Sequence, residues 1–167
     1  MSWLRRRAPW RRGHETPSTP PGWELPLAPL AIDRVASTLT RRGFSFTKDD
    51  DGDITGIWDG HRFWLMVTGE HDDVLQVRGV WHRTLSPERR AAARLAVNDW
   101  NRDRLWPKVF YRVEDDELAV YAEHSIDLEP GVNDAQLDQT IACGLLTGVQ
   151  FFAELDRAFP APSAEEP

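Results

Sequence analysis

"FSFTKDDDGDITGIWDGHRFWLMVTGEHDDVLQVRGVW", residues 44–81, is the stretch on which the fold turns. Four short apolar runs (FSFTK, ITGIW, HRFWLMV and VLQVRGVW) are separated by turn residues (DDDGD, DG and TGEHDD), and the helix period is absent. Asp59-Gly60 accepts the positive φ angles of a two-residue hairpin turn, so the runs predict an antiparallel meander.

Helical signals flank this meander. Before it, "LAPLAIDRVASTLTRRG" places Leu30, Val35 and Leu39 near helical spacing, with Arg41 and Arg42 at the negative end and Gly43 as a left-handed stop. After it, Ser86-Pro87-Glu88 opens a second helix that runs to about Arg104, with serine as cap and proline at the first position. "KVFYRV" and "ELAVYAEHSI" read as a second hairpin around Glu114, Asp115 and Asp116. A long third helix, capped by Asn133 or Asp134, carries Leu137, Ile141, Leu145, Gly148, Phe152 and Leu155 on one stripe and ends at Pro160. Strands joined by short turns pair antiparallel and helices segregate to cover a face, so the expectation is a two-layer α+β domain.

A chain of 167 residues, 41% hydrophobic, fills one core. We expect a basic, proline-rich disordered tail over 1–28, a single domain over 29–159 and a flexible tail over 160–167. The first 29 residues hold six prolines, which suit neither helix nor sheet. Residues 1–27 sum to +3 through Arg5, Arg6, Arg7, Arg11 and Arg12, leaving −10 on the remainder. An acidic body is a poor match to a phosphate backbone, so no nucleic-acid partner is expected of the domain; only the tail has the charge for one. The longest apolar stretch, "IACGLLTGVQFFA" (141–153), has 13 residues, too few to span a membrane. The arginine-rich start lacks the apolar core of a secretory signal. With one cysteine, Cys143, no internal disulfide forms, and a cytoplasmic location is expected.

Candidate chemistry is sparse. "DDDGD" (49–53) fails the calcium-loop frame, because placing Gly52 at position six puts Trp58 where a bidentate glutamate is needed. "EHDD" offers His71, Asp72 and Asp73, but neighbours on a strand point to opposite faces. No metal site, cofactor or catalytic residue is expected. Cys143 has apolar neighbours and reads as an inert packed thiol.

Two surfaces stand out. On helix three, Thr140, Gly144 and Gly148 recur every four residues, a groove for close packing within the chain or for a homodimer contact. In the sheet, Phe63, Leu65 and Val67 share one face of their strand while Arg62, Trp64 and Met66 share the other. Either the helices wrap both faces, or a face with Trp64, Met66, Arg78, Phe110 and Arg112 is left for a protein or peptide partner.

The segment between helix two and the second hairpin, "AVNDWNRDRLWPKVFYRV" (96–113), reads as a structural corner of Asn98, Trp100, Asn101 and Trp106. The asparagine amides can serve backbone groups left unpaired where the helix ends, and Trp106 before Pro107 is expected in an extended step. "VNDWN", "WPKVFYRV", "LAVYAEHSIDLEPGV" and "LQVRGVWHRTLSPERR" together resemble the YbjN-domain family, over about residues 30–159. The resemblance implies a type III secretion chaperone-like fold: a helix, three strands, a helix, two strands and a helix. Four strand-like runs before helix two, where that fold has three, leave FSFTK or ITGIW as the extra one. It further implies a bacterial, non-enzymatic regulatory module and supplies no catalytic residue. The alternative is a small-ligand sensor or enzyme with a pocket between sheet and helices whose polar groups are His82, His124 and Asp127.

Overall fold

The computed structural model describes residues 25–161. The chain runs through α1 (Ile32–Arg41), β1 (Thr47–Lys48), β2 (Ile54–Trp58), β3 (His61–Thr68), β4 (Val74–Leu85), α2 (Arg90–Asp103), β5 (Lys108–Glu114), β6 (Glu117–Asp127) and α3 (Asp134–Ala158). The six strands make one antiparallel sheet in the order β1-β2-β3-β4-β6-β5. Both ITGIW and FSFTK supply strands, but the latter only at Thr47–Lys48. Phe44 and Phe46 are drawn against the core instead, with Phe44 edge-on to Trp58 at 5.9 Å.

Turn chemistry sets the register. Asp59 and Gly60 have φ of 51° and 80°, and Asp115 and Asp116 have 48° and 64°, so both hairpins close through two residues in the left-handed region. The short side chain of Asp tolerates that region better than a branched one. Asp49 closes the β1–β2 turn by accepting the N–H groups of Asp51 and Asp53 at 3.1 and 2.9 Å, so "DDDGD" is an acidic turn.

All three helices lie on the face that carries Ile54, Phe63, Leu65, Leu75, Val77, Ala122 and Val109, each at most 2% exposed. The long helix α3 crosses this face, α1 packs against α3 and β3, and α2 covers β5 with Trp100 5.0 Å from Phe151 of α3. Gly144 and Gly148 explain the fit. A Cβ at Gly144 would lie 2.8 Å from Val77 Cβ, and one at Gly148 2.8 Å from the Phe63 ring, so the small-residue groove is pressed onto the chain's own sheet. Thr140, the third of that trio, is half-buried and donates its hydroxyl to Gln136 O.

Capping follows the sequence at α3 and departs from it at α2. Asn133 Oδ1 accepts the Gln136 N–H at 2.9 Å while Gln136 Oε1 accepts the Asn133 N–H at 3.2 Å, a reciprocal capping box. Ser86 makes no such cap: the first turn, Pro87–Arg89, is a 3-10 helix, and the serine hydroxyl serves the Glu88 carboxylate.

The expected tail boundary also shifts. The basic start, 1–24, and 162–167 lie outside the described residues, but residues 25–28 are placed, and Ala28 exchanges hydrogen bonds with Val132 at 3.3 and 2.9 Å. Proline lacks a donor but keeps its acceptor. Arg34 reaches the carbonyls of Ala28, Pro29 and Val132 at 2.9, 2.6 and 2.8 Å and pairs with Asp134, tying the chain's entry to the start of α3.

Candidate functional site

The register places every residue of the expected partner face on the side of the sheet away from the helices. Thr55, Trp64, Arg78, Glu123 and Lys108 lie in one row across β2, β3, β4, β6 and β5, and Ile57, Arg62, Val80, Tyr121 and Phe110 in the next. Met66 continues into Gln76 and Ser125, and Arg112 sits two residues beyond Phe110 on β5. Trp64, Met66, Arg78 and Phe110 are half-buried among these neighbours, whereas Ile57 is 60% exposed.

Phe110 and Tyr121 stack at 5.4 Å with their rings 13° apart, and the Arg112 guanidinium lies 5.4 and 5.7 Å from the two centroids. The Lys108 ammonium is 5.5 Å from Phe110. Cations over ring faces are held by the rings' quadrupole, which keeps positive charge next to flat apolar surface. Arg78 binds Glu123 through Nε and Nη2 at 2.8 and 2.7 Å. Tyr121 donates its hydroxyl to Glu114 at 2.8 Å, and burial first, then that bond, raises its pKa. Arg62, Arg78, Lys108 and Arg112 thus outnumber Glu114 and Glu123 on this side of an acidic body. Strand alternation alone does not single out Tyr121, Lys108 and Glu123, yet a two-residue turn at Asp115-Asp116 pairs Phe110 with Tyr121 by counting outward.

The corner is a structural joint. Asn101 Nδ2 donates to Val109 O at 2.8 Å and its Oδ1 accepts the Val109 N–H at 2.9 Å, so one amide imitates a strand neighbour at the start of β5. Trp100 Nε1 donates to Pro107 O at 3.1 Å. Asn98 is exposed and takes no part in this stitch. The Trp106–Pro107 peptide is cis, and Trp106 is 49% exposed, edge-on to His124 at 5.8 Å.

The alternative pocket is not assembled. His82 lies on β4 five residues from Val77, the register partner of His124, and Asp127 is exposed and accepts the Glu129 N–H at 2.9 Å. Apart from those two, His124 borders a cleft of about 330 Å³ with Trp106, Ile126, Val132, Gln136 and Cys143. Burial holds its pKa down, and its Nδ1 has no hydrogen-bond partner among the described residues. Burial raises the pKa of Cys143, which keeps the thiol protonated. His71, Asp72 and Asp73 form no ligand cluster among the described residues; the grouping that does occur is His61, His82 and Asp156, drawn from three elements that no local spacing connects.

A family model named YbjN, described as "Putative bacterial sensory transduction regulator", matches residues 31–157. The fold is similar to that of YbjN from E. coli, with a TM-score of 0.65 at 15% identity, covering 79% of this chain and 95% of that one. It is also similar to an uncharacterized protein from Methanothermobacter thermautotrophicus, with a TM-score of 0.53 at 14% identity and coverage of 78% and 99%. The Yersinia pestis type III secretion chaperone SycH is a more distant likeness, with a TM-score of 0.41 at 12% identity and coverage of 76% and 95%. No curated protein matches the chain in sequence. Among the described residues no helix is long and apolar enough to cross a membrane.

Proposed function

The chain belongs to the YbjN family, and from that premise we propose that it is a non-enzymatic, cytoplasmic regulatory module that binds an acidic polypeptide segment on the outer face of its sheet. One observation carries the reading: none of the three helices meets the face holding Trp64, Met66, Arg78, Phe110 and Arg112, and that face pairs stacked aromatics with cations. Hot spots of protein interfaces are enriched in tryptophan, tyrosine and arginine: aromatics bury much area while losing little conformational freedom, and arginine adds a planar cation with several donors. The cations face outward from a chain of net charge −7, which selects a partner carrying carboxylates and disfavours one like the rest of this surface.

The test compares the full chain with Trp64→Ala and Arg112→Glu in co-purification from native cells. The expected result is one polypeptide recovered with the wild type and lost with both variants, each of which melts within a few degrees of the parent. Recovery that ignores both substitutions would remove the proposal, as would a nuclease-sensitive partner or a second copy of this chain held through this face. Unfolding of Trp64→Ala alone would show that this indole belongs to the core, and Arg112→Glu would then decide.

A further inference from the structure

We propose that His61, His82 and Asp156 bind a divalent transition-metal ion of the zinc, cobalt and nickel kind where β3 and β4 meet the C-terminal half of α3. One ligand atom from each residue lies within 4.8 Å of the others. The two histidine Nδ1 atoms are 3.3 Å apart. Two nitrogens bound tetrahedrally to one ion at about 2.0–2.1 Å are separated by roughly that distance. Two imidazoles and a carboxylate form a donor set of borderline softness that suits these ions better than calcium or magnesium, which prefer oxygen alone.

A sheet irregularity brings the group together. The β4–β6 register slips between Val80 and Thr84, so the strict alternation of side chains is broken there. Trp81 and His82, consecutive in the chain, both reach the helix side, Trp81 to Asp156 and Phe159, and His82 to His61. His61 opens β3 directly after the Asp59-Gly60 turn and is 3% exposed, its ring 4.6 Å from Phe152.

The carboxylate is positioned as well. Trp81 Nε1 donates to Asp156 Oδ1 at 3.0 Å, and His82 Nε2 and Arg83 Nη1 approach the same oxygen at 3.9 and 3.8 Å; with its Nδ1 turned to His61, the His82 ring must rotate for one ion to meet all three side chains. Oδ2 has none of these contacts and remains for an ion, with the indole acting as the outer hydrogen-bond partner that orients a ligand. The side chains of His82 and Asp156 are 42% and 40% exposed, so an ion has a path in and room for water as a fourth ligand.

Two contacts oppose binding. The His82 N–H donates to His61 Nδ1 at 3.2 Å, and Arg83, lying 4.8 Å from the Trp81 ring, places its charge beside the carboxylate. An ion displaces both, so removal of the Arg83 charge should tighten binding. A bound ion would link the β3–β4 hairpin to α3, two elements that are far apart in the sequence.

The test uses the full chain, cleared of metal by a chelator, titrated with zinc in a calorimeter and with cobalt in a spectrophotometer. The expected result is one ion per chain, the visible bands of four-coordinate cobalt, and affinity weakened at least about tenfold in His82→Ala and Asp156→Asn. Arg83→Ala should strengthen it. Melting curves without metal confirm that these partly exposed positions tolerate change. An absence of stoichiometric uptake would overturn the proposal, and so would uptake that neither His82→Ala nor Asp156→Asn weakens, since His14, His71 and His124 offer other places for a weak ion.

Discussion

The two faces of the sheet are built from the same alternating strands, yet they obey different constraints. On the helix side, Phe63, Leu65 and Val77 are at most 1% exposed, and glycines let α3 approach until no Cβ fits between the layers. On the other side, Trp64, Met66 and Arg78 are covered, among the described residues, by one another and by cross-strand neighbours. The first face is held by packing density, where a single added carbon must displace something. The second is held by the ladder beneath it, and its side chains are available for contact. An apolar residue therefore means something different on each side: on one it is core, and on the other it is surface that folding leaves unused.

That contrast can be broken most severely at Gly144. Replacement by leucine drives a side chain into Val77 Cβ at 2.8 Å, and we expect a loss of about 3 kcal/mol in denaturant unfolding. A loss near zero would mean that α3 does not seat on the sheet as described. A smaller effect is expected at Asn101→Ala, which strips the Val109 N–H and carbonyl of their partners at the edge of the buried face; urea melts should show a loss of about 2 kcal/mol.

The smallest effect sharpens the comparison. His124 is the polar group that the helix side fails to satisfy, so His124→Leu should stabilise the chain by about 1 kcal/mol at neutral pH. Burial lowers the pKa of His124 and of His61 below 6.5. The unfolded chain therefore takes up protons as pH falls through that value while the folded chain does not, and stability held above it is lost on the acid side. Melting temperatures at pH 7.5 and 5.5 should show this loss, and His124→Leu should reduce it while leaving the share due to His61.

Much of this was legible in the chain because the controlling interactions are local. The Asp59-Gly60 turn, the α3 stripe from Leu137 to Leu155 and the Asn133 cap rest on backbone preferences and on spacings of a few residues. The partner-face candidates were legible too, since alternation assigns Trp64 and Met66 to one side and the hairpin turns carry the register across to Arg78 and Phe110. The His61–His82–Asp156 group was not legible. Its members are 21 and 74 residues apart along the chain, and the slip between Val80 and Thr84 breaks the alternation that argued against clusters of neighbouring residues. Ser86 misled for a similar reason, since its preference for capping backbone was overruled by a 3-10 first turn and a nearby Glu88 carboxylate.

From the amino acids alone came the order of elements, the hairpin turns and the two-sided apolar character of the strands, because each depends on φ preference and periodicity within about one turn or one strand. Tertiary structure decided which face the helices cover, that Gly144 and Gly148 are used up against the sheet, and which titratable groups meet. Those outcomes depend on how three helices share one surface, a question of volume and close approach between segments that no local pattern encodes.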